Sequence, residues 1–262
     1  MRFLLAGVVA VTLTGGATSS PGGALFLIGG GTMGDEVLGR LAVLVGGRHA
    51  PVVLVPTAFC WSEDLGEDSP QVAQYLGRLR SFGFDNVEIL HTRSPAEANE
   101  EHFGQPLRDA RVVFFSGGCP ECITSAYLNT RFHRELERLL ARGGVVAGTS
   151  AGAEVMGPFI EERCENPVVK GPGLGLFARG YFGVHIDTRP DLLESMKSAV
   201  DSDYPSLLGI GIAEDTAVLI KDDALEVVGR GSAVVYRGRG SRVDDDTRET
   251  RLSAGETYRL PE

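Results

Sequence analysis

The chain has 262 residues, 43% hydrophobic and 23% charged, with a formal net charge of −10. This composition is globular and long enough for one sizeable core, which excludes a disordered chain. The acidic balance and the lack of a basic block argue against nucleic acid or an anionic membrane as partner.

Met1-Arg2 is a minimal positive start, Phe3 to Thr14 carries no charge, and Gly15-Gly16-Ala17 offers small residues for cleavage. Residues 1–20 therefore read as a secretory signal peptide, too short for a membrane span, and 21–262 as a single domain. The processed protein is then expected to be secreted or periplasmic and free of the membrane. The alternative is an N-terminal strand over Val8 to Thr14 in a cytoplasmic protein.

Ala24 to Ile28 is a continuous apolar run, the pattern of a strand buried on both faces. Gly29-Gly30-Gly31 ends it, and residues 35 to 46 follow with apolar positions at helical spacing. Gly29, Gly31 and Gly34 satisfy G-x-G-x-x-G, but the next strand, Val52 to Val55, ends in Pro56-Thr57 rather than an acid. A dinucleotide cofactor is therefore rejected, and the glycines read as a turn beside an active site. Ala58 to Pro70 is irregular and holds Trp61. A helix over 71–82 and a strand over 87–90 come next. The strand Arg111 to Phe115 is closed by Ser116-Gly117-Gly118, and two helices, about 121–128 and 131–142, lead on.

Val145-Val146-Ala147 is a short apolar strand, followed by Gly148-Thr149-Ser150-Ala151-Gly152 and a helix start. A strand, a tight G-x-S-x-G turn and a helix make a nucleophile elbow, which exposes the serine hydroxyl and leaves the following amide free to meet an oxyanion. Strands then fall at 182–186 and 208–212, with a helix over 191–198 between them. Short antiparallel strands are expected at 218–220, 225–228 and 233–236, before a polar tail. Alternating strands and helices predict an α/β fold with a mostly parallel sheet covered on both faces, plus a small antiparallel C-terminal extension. Ligands in such sheets sit at the carboxyl ends of the strands, where Ser150, Gly117-Gly118 and Gly29 to Gly31 converge.

A serine hydroxyl needs a base, and the base needs a carboxylate to orient it. Of the five histidines, only His185 lies at the end of an apolar strand; Glu214 and Asp215 follow the next one. The order serine, histidine, acid differs from that of α/β-hydrolases. Cys60, Cys119, Cys122 and Cys164 are an even set that fits export and one or two disulfides, and free or structural cysteines are the first reading. A single C-x-x-C without further ligands is a weak zinc signal, so no metal is expected.

Gly148 to Ala153, Phe114 to Gly118, the His185 region and Leu208 to Ala217 together resemble the cyanophycinase and dipeptidase E family of serine peptidases, family S51. The resemblance spans residues 24 to 236 and implies a flavodoxin-like, class I glutamine-amidotransferase-like fold without a cofactor. It also implies Ser150 as nucleophile, His185 as base and Glu214 as its partner, with the amides of Gly118 and Ala151 as oxyanion hole. The substrate would be a small peptide or isopeptide, and the family's habit of pairing implies a homodimer. Around the substrate it sets Gly117, Cys119, Pro120 and Arg189. Three departures stand out. Cys119-Pro120 replaces the usual Asp-Gln, Gly183-Val184-His185-Ile186 replaces Asp-Gln-His-Phe, and only Arg189 remains of several arginines, with Asp191 and Glu194 nearby. Acids and prolines cannot reproduce a bidentate carboxylate clamp. The expectation is an S51-type hydrolase with altered specificity that does not act on cyanophycin; the alternative is an inactive binding or regulatory protein on the same scaffold. A glutamine amidotransferase is disfavoured because the elbow carries Ser150 rather than cysteine.

Overall fold

The computed structural model describes residues 22–162, 164, 169–239 and 248–261, so the expected signal peptide over 1–20 lies outside the described residues. Five runs become parallel strands: β1 (Ala24–Ile28), β2 (Val52–Val55), β3 (Val87–Ile89), β4 (Val112–Phe115) and β5 (Val145–Thr149), ordered β1-β5-β4-β2-β3. All but the edge strand β3 are buried on both faces, as their unbroken apolar runs require.

The two-residue period of the strands builds two cores. Leu25 and Leu27 of β1 join Val113, Phe115 and Val146 on one side, under α5 (Pro120–Tyr127) and α6 (Arg131–Ala141). Phe26 and Ile28 join Leu54, Phe114 and Ala147 on the other, under α1 (Asp35–Val45) and α2 (Pro70–Phe82). α1 buries Val37, Leu38, Leu41, Ala42 and Val45, one face of a helix, and ends at Gly46 in the left-handed conformation. Two short helices the sequence did not signal, α3 (Pro95–Ala98) and α4 (Gln105–Asp109), fill the connection before β4.

After α7 (Ala151–Glu154) the chain departs from the expected simple alternation. It makes an unanticipated hairpin, β6 (Phe159–Glu162) and β7 (Val169–Pro172). Next, β8 (Gly180–Val184) and β9 (Leu208–Ile212), joined by α8 (Pro190–Ser202), pair in parallel with each other rather than with the central strands. Beside β1, β5 occupies one side and β10 (Thr216–Lys221) the other, antiparallel. The expected small C-terminal extension is correspondingly larger and divided. β11 (Ala224–Gly229) and β14 (Thr257–Arg259) extend the main sheet to eight strands, ordered β14-β11-β10-β1-β5-β4-β2-β3. β12 (Ser232–Arg237) and β13 (Glu249–Ser253) complete a second sheet ordered β13-β12-β9-β8.

Candidate active site

Ser150 stands at the β5–α7 junction with φ 52° and ψ −122°, a strained backbone that only a tightly held turn maintains. The glycines on either side explain why the turn closes. A Cβ on Gly148 would lie 2.1 Å from the Gly152 carbonyl oxygen, and one on Gly152 2.5 Å from that of Phe115. The Ser150 amide donates to the Ile28 carbonyl at 2.9 Å, which ties the elbow to the end of β1.

The second sheet brings the other two side chains to that point. His185 follows β8 and Glu214 follows β9, and those strands pair in parallel, so both side chains emerge at one end. Ser150 Oγ and His185 Nε2 are 2.8 Å apart, and His185 Nδ1 and Glu214 Oε1 are 2.7 Å apart. Thr188 donates its hydroxyl to the same Glu214 oxygen at 3.1 Å, and the Glu214 amide donates to Asp187 Oδ1 at 2.9 Å. His185 and Glu214 are partly buried, their side chains 25% and 33% exposed. Both lie close enough to solvent for a substrate to reach and far enough from it for the hydrogen bonds to count.

The two sheets meet on the turn Gly29 to Gly31. The Gly29 carbonyl accepts from the His185 amide at 2.9 Å, and the Gly30 carbonyl accepts from the Asp215 amide at 3.1 Å. Asp215 Oδ1 in turn accepts from the Thr32 amide and hydroxyl at 2.6 and 2.9 Å. Ser150, His185 and Asp215 all have φ between 51° and 55°, the region non-glycine residues avoid. Strain of this kind collects at functional sites.

Gly117 and Gly118 continue β4, the neighbour of β5, and so lie beside the elbow. A Cβ on Gly117 would sit 3.2 Å from Ser150 Cβ. Gly118 has φ 139° and packs on the Ala58 carbonyl, where a Cβ would come within 2.3 Å, so its backbone conformation is reserved for glycine. The Gly117 amide donates to the Tyr75 hydroxyl at 3.0 Å. Burial raises the pKa of that phenol, which keeps it protonated.

Cys119 is buried in a disulfide with Cys164, and Cys60 pairs with Cys122; the C-x-x-C cysteines thus belong to different bridges. Cys119, Glu121 and Cys164 cluster closely enough to share an ion, but the two sulfurs are bonded to each other and offer no thiolate. Pro120 is buried as the first residue of α5. Arg189 sits at the start of α8, its guanidinium bidentate to Asp191 at 3.1 and 2.8 Å. Of the residues set around a substrate by the sequence, Gly117 therefore touches the elbow, while Cys119, Pro120 and Arg189 are engaged within the chain. Asp187, Thr188 and Tyr75 carried no signal as site residues, while Asp215, the other acid expected as a partner for the base, holds Thr32 instead of His185.

A hydroxyl bonded to an imidazole that a carboxylate orients is the arrangement that activates serine toward a carbonyl. The comparisons with known proteins agree with that chemistry. The cyanophycinase of Geminocystis herdmanii (strain PCC 6308) is 27% identical over 215 residues, covering 79% of this chain and 76% of that protein. The cyanophycinase of Trichormus variabilis (strain ATCC 29413 / PCC 7937) is 30% identical over 225 residues, covering 81% and 72%. The crystal structure of a peptidase from an acI-B1 Actinobacterium superposes with a TM-score of 0.74 at 22% identity, over 92% of this chain and 98% of that one. The sequence model of peptidase family S51 matches residues 25–228, and the chain belongs to that family.

Proposed function

We propose that the protein is a serine-type peptidase that works through an acyl-enzyme on Ser150, and that cyanophycin is not its substrate. The observation that carries the reading is the hydrogen-bonded chain from Ser150 Oγ through His185 to Glu214 Oε1. In this reading Nε2 takes the hydroxyl proton as Oγ attacks the substrate carbonyl. Glu214 holds the ring through Nδ1–H and stabilises the imidazolium. The amides of Gly118 and Ala151 meet the oxyanion. His185 then gives its proton to the leaving amine, and water repeats the sequence to release the acyl group.

The changed specificity is supported by the groups that occupy the substrate side. Cys119 is locked in a disulfide, and Arg189 is held by Asp191. A bidentate clamp for a carboxylate needs an arginine fork that is not already filled. The two disulfides further support an oxidising compartment, in keeping with the reading of 1–20 as a signal peptide.

The test is labelling by a fluorophosphonate probe together with turnover on a mixed peptide pool. Wild-type protein should label and cleave, and Ser150→Ala should do neither. A folded wild-type protein that neither labels nor cleaves would establish instead a binding protein on this scaffold. Cleavage of cyanophycin as fast as of other peptides would overturn the substrate statement.

A further inference from the structure

Beside the elbow lies a cavity of about 340 Å³ that none of the residues discussed for substrate binding explains. Its place is fixed from both sides. Tyr75, whose hydroxyl receives the Gly117 amide, forms one wall, and Gly31, next to the Gly30 that abuts the His185 ring, lies at the other. The cavity thus adjoins the elbow through Tyr75 and Gly31 and is open to a group that flanks a carbonyl held at Ser150 Oγ.

Three elements build the walls. The loop before α2 supplies Phe59, backed edge-on by the exposed Trp61 with ring centroids 5.6 Å apart, and the β1–α1 loop supplies Met33. The Phe59 and Tyr75 rings are 5.9 Å apart, so the apolar wall is continuous. α2 presents Gln71, Gln74, Tyr75 and Arg78 to the cavity, a single helical stripe at i, i+3, i+4 and i+7.

Among the described residues, no carboxylate lines the cavity. Two acids that bond lining residues are already occupied: Asp35 bonds Arg78 Nη2 at 2.7 Å, and Asp215 holds Thr32. Arg78 also spends its Nε and Nη2 on the Met33 carbonyl at 2.9 and 2.6 Å. A cationic side chain entering here would meet only a like charge. An anionic one would have to share Arg78 with Asp35 and the Met33 carbonyl, a guanidinium that already has a carboxylate partner. An uncharged bulky side chain loses nothing on entry and gains the aromatic wall.

Resting on the peptidase reading above, we infer that this cavity is the specificity pocket for the residue flanking the scissile bond, and that it selects a large uncharged side chain, aromatic or aliphatic, over charged ones. Its size lies within the range of small-ligand pockets. The selectivity comes from the loop carrying Phe59 and from one face of α2.

The experiment is to digest a degenerate peptide library and read the cleavage sites by mass spectrometry, with wild type, Ser150→Ala and Gln74→Glu compared. Wild type should favour Phe, Tyr, Leu and Met over Arg, Lys, Asp and Glu at one flanking position by ~10-fold or more. Gln74 is exposed, so Gln74→Glu should fold, and it should raise cleavage beside Lys and Arg at that same position. Cleavage without this preference, or a preference that Gln74→Glu leaves unchanged, overturns the pocket assignment and leaves the peptidase reading standing. If wild type neither cleaves the library nor labels with fluorophosphonate, the peptidase reading fails and the pocket assignment with it.

Discussion

The His185 ring rests on Gly30: a Cβ added there would lie 2.1 Å from Cε1 and 2.5 Å from Nδ1. The base is thus positioned by the end of β1, on the opposite sheet from its own strand. Gly30→Ala must push the imidazole out of line with Ser150, and at φ 126° the alanine is strained as well. A displacement near 1 Å costs about 100-fold in rate. We expect kcat/KM to fall by at least that factor and fluorophosphonate labelling to slow in parallel, with the fold retained by circular dichroism. Near-normal turnover would show that His185 is not held from this side.

Glu214→Gln retains the size of the side chain and removes the charge that stabilises the imidazolium. Its amide can also present N–H to Nδ1 and select the wrong tautomer. The expected loss in kcat is about 10³–10⁴-fold. Thr188→Ala removes one supporting hydrogen bond, at 3.1 Å to the same oxygen, and should cost far less. Steady-state kinetics of both variants check the order; equal losses would mean that Thr188 holds the carboxylate as firmly as its own backbone does.

Much of this arrangement was legible in the sequence, because apolar runs ending in Ser150, His185 and Glu214 place all three at strand ends. Sheet membership was not: β8 and β1 are both buried apolar strands, and burial does not name a neighbour. Nor was the role of Gly30, since its partner is far away in the chain and leaves no local pattern. Four cysteines allow three pairings, which spacing alone does not separate. The β6–β7 hairpin was hidden because Glu161 and Glu162 break the apolar alternation that marks a strand, and β13 and β14 are polar edge strands.

The disulfides converge on the Gly117-Gly118 turn. Cys119 follows Gly118 directly and is bridged across 45 residues to Cys164, and Cys60, bridged to Cys122, follows close on Ala58, whose carbonyl receives the Cys119 amide at 2.8 Å. Opening a bridge of that length costs about 2–4 kcal/mol. Paired Cys119→Ser and Cys164→Ser substitutions should lower the midpoint of chemical denaturation accordingly and also reduce kcat, because Gly118 loses its anchor. A stability loss with kcat unchanged would separate the bridge from the turn.

His91 offers a pH signature apart from the site. Burial, reinforced by the charge of Arg93, lowers its pKa to about 4, and Nδ1 lies 2.9 Å from the Thr57 hydroxyl. In the unfolded chain the imidazole titrates near 6.5. Between these values the unfolded state takes a proton that the folded state refuses. Stability is therefore complete above about pH 6.5 and falls as the pH drops toward 4. His91→Gln should flatten the fall of Tm across this window, while an unchanged slope would assign the acid sensitivity to other groups.

Tyr75→Phe isolates one support of the Gly117-Gly118 turn. The ring stays, so the Phe59 contact and the wall of the cavity are kept, and only the hydroxyl that receives the Gly117 amide is lost. An amide left without a partner in a half-buried place costs about 1–3 kcal/mol. Part of that cost falls on the turn itself, which would relax away from the Ser150 side to find water. The expected result is a fall in kcat of about 10-fold, with KM for uncharged peptides nearly unchanged, because the lost bond positions the oxyanion donors and leaves the pocket surface intact. A rise in KM at constant kcat would instead make the hydroxyl a direct contact to substrate.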